Sequence, residues 1–190
     1  MKSLNVPPTT VSVSLPTDEE LRAVIGSTYD SGNVLNVIKM MAGTDDMYPA
    51  AVGFIRAMFA AQDVDPKIRE MIMLRAAKVL HCPYEWGANV VLATNVGLSN
   101  AEIEATGSDE PVTRIHPDYV LICRATDELS LDATLTDSTL SDLLSRFGSI
   151  ICRKLILIIG WFNLLARFLN GCRVPMEDFT KLREKTDPLA

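Results

Sequence analysis

The stretch Asp65–Leu98, DPKIREMIMLRAAKVLHCPYEWGANVVLATNVGL, reads as two helices joined at a tight His81-Cys82-Pro83 corner. Asp65 is a good N-cap, and Pro66 suits the first helical position, where no backbone donor is needed. Ile68, Ile72, Leu74, Ala76 and Val79 then recur at helical spacing and give the first helix an apolar face. Pro83 cannot continue that helix but can open a second one, running through Trp86, Val90 and Ala93. Gly97 ends the second helix as a left-handed cap requires, and Ser99-Asn100-Ala101-Glu102 is a capping box for the next.

Working outward, the same signals continue. Thr17-Asp18-Glu19-Glu20 caps a short helix through Ile25, and a second helix is expected from Gly32 to Met41. Gly43-Thr44-Asp45-Asp46 breaks it, and Tyr48-Pro49 opens a third that carries Phe54, Ile55, Met58 and Phe59 inward. Downstream of the central hairpin, Gly107 to Pro117 reads as a loop, followed by a helix from Asp118 to Leu129. Thr136 caps another helix to Phe147, and Ser149 leads into a long apolar helix that ends at Asn170-Gly171. Strand-like alternation is confined to Thr10 to Leu15. The expectation is an all-α bundle of about eight helices around a central helical hairpin. One domain spans 17–177, between an extended arm at 1–16 and a polar tail at 178–190 that is frayed or draped on the surface.

Composition narrows the class of function. A net charge of −6 and a pI near 4.9, with no dense Lys/Arg run, argue against a nucleic-acid surface. The N-terminal residues lack a secretory apolar core. The apolar run Leu155 to Leu165 contains Asn163 and falls short of the roughly 20 residues a bilayer span needs, so no membrane partner is expected. Cys82, Cys123, Cys152 and Cys172 are scattered without CxxC or ligand-like spacing, which suits reduced thiols in a cytoplasmic protein and no metal site.

The run Ile68-Arg69-Glu70, then His81-Cys82-Pro83-Tyr84-Glu85-Trp86, then Gly97-Leu98-Ser99 with Glu102-Ile103 resembles the carboxymuconolactone decarboxylase family, whose fold is that of the alkylhydroperoxidase D proteins. The resemblance extends from about Met47 to Glu177 and looks most like fungal-type members. It implies an alkylhydroperoxidase D-like helical bundle, a homo-oligomer (dimer, trimer or hexamer), no cofactor, and a small-molecule substrate drawn from secondary metabolism. The peroxidase branch uses a Glu, a pair of Cys and a relay His. Here Glu70 falls on the Glu and Cys82 on the first Cys, while Glu85 and Asn89 stand where the second Cys and the His belong. The decarboxylase branch carries Tyr-Glu-Trp and then a His three residues on. This chain keeps Tyr84-Glu85-Trp86 and has Asn89 in place of that His. Asparagine hydrogen-bonds but does not titrate, so it can orient or polarise and cannot shuttle a proton.

Glu70, Glu85, Cys82 and Asn89 are thus the candidate catalytic residues. Both glutamates are read as lying in first turns, where an acid merely complements the helix dipole. The functional alternative has them facing one pocket, one protonated and one not. Cys82 precedes a helix N-terminus, which favours a thiolate, or else is a small buried hydrophobe. Tyr84, Trp86, Tyr48, Arg56 and Trp161 are candidates to line a cavity. Arg69 would pair with a substrate carboxylate or a neighbouring acid, and His116 would close a loop over the pocket. The leading expectation is a cofactor-free, non-redox enzyme moving protons in the decarboxylation, isomerisation or cyclisation of a small carboxylated or enolisable metabolite. The alternatives are a thiol-dependent antioxidant protein using Cys82 and a non-catalytic oligomeric binding protein.

Overall fold

The computed structural model describes residues 10–189, so the first nine positions of the expected arm lie outside it. The described residues form eight α-helices and no strand. In chain order these are α1 Asp18–Ile25, α2 Asn36–Ala42, α3 Tyr48–Ala60, α4 Pro66–Val79, α5 Pro83–Asn95, α6 Asn100–Thr106, α7 Pro117–Leu131 and α8 Asp137–Cys172, with single 3-10 turns at Asp45–Met47 and Phe179–Leu182.

The hairpin that dominates the sequence also dominates the fold. Helix α4 lies against α5, α6, α7 and α8. Every residue from Ile68 to Ala77 is buried, so α4 is a helix buried all round rather than on one stripe. Met71, Ile72 and Leu74 are completely enclosed, and each contributes roughly 1.5–3 kcal/mol by leaving water. The same enclosure traps Arg69, Glu70 and Arg75. The corner after α4 closes as its residues require. Leu80 caps the helix, His81 takes the left-handed conformation at φ 54°, and the Cys82 N–H donates to Ala77 O at 2.8 Å. His81 is exposed.

Capping boxes form at Thr17 and Ser99 as read from the sequence. Helix α2 starts four residues later than expected. Asp30 turns back to accept from Gly32 N and Asn33 Nδ2, which holds 30–33 in a turn, and the helix begins only after Leu35. The two helices expected around Ser149 are the two arms of α8, separated at Gly148, where φ 73° and ψ 168° are open only to glycine. By length and composition α8 would suffice to cross a bilayer, but in this fold its apolar window is 44% buried, packed on α4 and α7. Its outer side still exposes Ile150, Leu157 and Leu164, spaced by seven residues.

Both ends of the described residues are tied down. The Val13 N–H donates to Cys172 O at 3.0 Å, and Arg173 donates to Val11 O. Beyond α8 the tail is draped rather than frayed. Leu182 is 1% exposed, and Asn95 Nδ2 donates to Leu182 O and Lys185 O at 2.9 and 2.7 Å. The Phe179 ring lies so close to Gly87 that a Cβ there would sit 2.5 Å from it, which makes glycine the residue that admits the tail.

Candidate active site

The decisive residues sit where α4 and α5 face each other. Glu85 is the third residue of α5, in its first turn as expected. Glu70 is not a first-turn residue. It is the fifth residue of α4, beyond the reach of the helix dipole, and is wholly enclosed. Neither oxygen of Glu70 has a hydrogen-bond partner, nor do Glu85 Oε2 and Arg69 Nε. Arg69 Nε stands 3.7 Å from Glu70 Oε1, an ion pair too long for a hydrogen bond. So many unpaired polar atoms in one core are what a fold avoids unless chemistry requires them.

Burial pushes both carboxyls up to about 8, but their surroundings differ. The Arg69 guanidinium pulls Glu70 back towards its ionised form, whereas the Glu70 charge pushes Glu85 further up. Near neutral pH both carboxyls therefore hold their protons, and Glu70, beside Arg69, is the one whose ionised form is better supported. The functional reading has both carboxyls facing one pocket, but only Glu85 borders the cavity; Glu70 is enclosed outside its wall.

Glu85 also lines an apolar cavity of about 40 Å³, room for a water or two. Asn89 lies one turn further along α5 and borders the same cavity, as does Tyr84. Trp161 enters from α8, stacked on Phe54 at 4.7 Å, with its buried Nε1 donor unpaired. Leu35 and Met41 close one side. Leu182 and Pro188 of the tail close another.

Several expected residues lie elsewhere. Tyr48 is buried at the start of α3, where burial raises its phenol, and it is not in the cavity wall. Trp86 turns away and packs over Gly107. Arg56 is exposed. His116 is no lid. It is the N-cap of α7, its Nδ1 accepting from Asp118 N at 3.3 Å, and it is exposed. Cys82 is 1% exposed and, contrary to the thiolate expectation, burial first and the neighbouring Glu85 second push its thiol up to about 12. The backbone N–H groups of Tyr84 and Glu85 do not offset this. All four cysteines are free.

The sequence reading missed Glu177. Its Oε1 accepts from the Tyr84 hydroxyl and, at 2.6 Å, from the Asn36 N–H, while Lys181 pairs with its other oxygen. Burial first and Glu177 second raise the Tyr84 phenol. That knot stitches α2, α5 and the tail together at the cavity edge. Its one legible trace was the spacing Phe179…Leu182, two apolar residues on one side of a polar tail.

The comparisons place this geometry. Residues 45–109 match the carboxymuconolactone decarboxylase family. The matched segment is about a third of the chain and holds α4, α5 and both acids. A solved structure from Ralstonia eutropha JMP134, described as an alkylhydroperoxidase AhpD core of an uncharacterized peroxidase-related protein, superposes with a TM-score of 0.72 at 17% identity, covering 91% of this chain and 92% of that one. At that identity the likeness is one of fold. No curated protein matches the chain. The matched segment therefore carries Glu70 and Glu85, while α7, α8 and the tail lie outside it.

Proposed function

We propose that the chain is a carboxymuconolactone decarboxylase-like enzyme that moves a proton on a small, mainly apolar carbonyl metabolite, using Glu85 as the group that meets the substrate and Glu70 as the acid–base partner behind it. The observation that carries this reading is the pair of buried, unpaired carboxyls with unequal surroundings, one of them in a cavity wall. A carbonyl in the cavity would accept from the free Trp161 Nε1 or the Asn89 amide, which stabilises an enolate as it forms. In its ionised form Glu85 would take the substrate's proton as that enolate forms and return a proton to carbon, ending as it began. Glu70 would exchange protons with it between turnovers. The same cycle serves isomerisation, cyclisation or the protonation that follows loss of CO2. It calls for no cofactor, and the four free thiols suit a cytoplasmic setting.

The test is solvent-deuterium exchange, followed by proton NMR, over a panel of keto acids and unsaturated lactones. At least one compound should exchange with wild type, and Glu85→Gln and Glu70→Gln should each lower the rate by about 10²–10⁴-fold. Exchange unchanged in both variants, or absent across the panel, would sink the reading. A second copy of the chain is the occupant we assign to the Ile150, Leu157 and Leu164 stripe of α8. Light scattering should return a multiple of 20.9 kDa, reduced by Leu157→Glu, and a clean monomer would refute the assignment.

A further inference from the structure

Two cavities share Phe59 as a wall. The inner one is the apolar chamber beside Glu85. The outer one, about 690 Å³, is bordered by Asp65, Lys67 and Arg69 of α4, by Tyr119 of α7, and by Thr186 and Asp187 of the tail. Arg69 joins the two. Its guanidinium lies 4.1 Å above the Phe59 ring, it borders the outer cavity, and its Nε is buried without a partner although the residue is 3% exposed. A desolvated guanidinium with donor capacity in reserve, at the wall of an open cavity, is suited to a planar carboxylate.

The tail already offers one. Burial lowers the Arg69 pKa, and the Glu70 and then the Asp187 charges oppose that effect. Lys67 and Arg69 reach this cavity from α4 against Asp65 at its N-cap, and Asp187 adds a second acid to the wall without coming into ion-pair contact with Arg69. Asp187 is an imperfect occupant, because its Oδ1 is turned to accept the Leu189 N–H at 2.7 Å. Asn95 clamps the tail through Lys185. Past that clamp, Thr186 and Asp187 border the outer cavity and Pro188 the inner one.

We propose that the outer cavity is the subsite for a substrate carboxylate, held by Arg69, and that Asp187 stands in for it in the resting chain, so that residues 186–189 form a lid the substrate displaces. The ligand class is a monocarboxylate with an apolar body long enough to pass Phe59 into the chamber enlarged by the departure of Pro188. A carboxylate held on Arg69 is stabilised as an anion and so serves as an anchor, not as the group lost. That narrows the reaction to enolisation or isomerisation at the far end of the substrate, a refinement that rests on the acid–base reading above. The carboxylate subsite itself does not.

The test is calorimetric titration of the full chain with hexanoate and, as the uncharged control, hexanamide. Hexanoate should bind about tenfold or more tightly than hexanamide. Asp187→Asn keeps an acceptor for the Leu189 N–H and removes the competing charge, so it should tighten hexanoate about threefold or more. Arg69→Gln should weaken it about tenfold, and Arg69→Lys serves if the glutamine variant does not fold. Equal affinity for the two probes, no binding of either, or an Asp187→Asn variant with unchanged hexanoate affinity would overturn the proposal. Because binding is read without turnover, selective hexanoate binding with no deuterium exchange would remove the acid–base reading and leave the subsite standing. Exchange with no carboxylate selectivity would do the reverse.

Discussion

Arg69 and Arg75 stand less than two turns apart on the same buried helix, and each faces a carboxylate. Arg75 grips Asp127 through two bonds of 2.5 and 2.8 Å and gives two more donors to Thr106 O and Ser108 O at 3.0 and 2.7 Å. Arg69 meets Glu70 at 3.7 Å, with Nε and both carboxylate oxygens unpaired. The first arrangement is finished. It joins α4 to α7, to the end of α6 and to the loop after it, and it uses four of the five guanidinium donors. The second is open, and it lies between two cavities. The two arginines are equally buried, although Asp127 is partly exposed where Glu70 is enclosed, and what separates scaffold from site is whether the hydrogen-bonding capacity is used.

The largest expected effect follows from breaking the finished pair. Arg75→Met strands Asp127 and two backbone carbonyls, and should cost about 3–5 kcal/mol in urea unfolding. Arg69→Met, which breaks no short hydrogen bond and leaves behind a Glu70 that already holds its proton at pH 6, should cost no more than ~1 kcal/mol at that pH. Equal losses would erase the distinction.

The next effect is the pH dependence of the open centre. A carboxyl raised on folding keeps its proton in the folded chain at pH values where the unfolded chain has lost it. Stability should therefore fall as pH rises from the ordinary glutamate value of 4.5 towards about 8, and then level off. A loss on the order of several kcal/mol across that window is expected for wild type, and Glu85→Gln should remove its own share and leave that of Glu70. A flat wild-type profile would mean that the acids are better solvated than their burial implies.

The smallest effect concerns the sulfur beside Glu85. With its thiol held neutral, Cys82 should take up no oxygen from a small alkyl hydroperoxide over an hour by intact mass, and Cys82→Ser should look the same as wild type. A rapid adduct on wild type alone would restore the thiol-dependent reading.

The hairpin, the capping boxes and the division of the long apolar helix before Ser149 were all legible, because Asp-Pro, Cys-Pro, Thr-x-x-Glu and Gly act through local backbone chemistry. The acid pair was legible as a motif. Its protonation was not, since that depends on what α7 and α8 bring around α4. Trp86 and His116 misled for the same reason: one is part of the motif and the other sits in a loop read as a lid, yet neither borders the cavity. The tail was the largest omission. Its composition is polar, and its structural work is done by Phe179, Leu182 and Pro188, each of which has meaning only against α5 and the chamber behind it.

Glu70 and Glu85 are also a poor way to fill the space they occupy, since amide or aliphatic side chains of similar volume would carry no charge to desolvate. A population of variants randomised at these two positions, and screened only for survival of heating near pH 8, should therefore drain of glutamate at both within a few rounds.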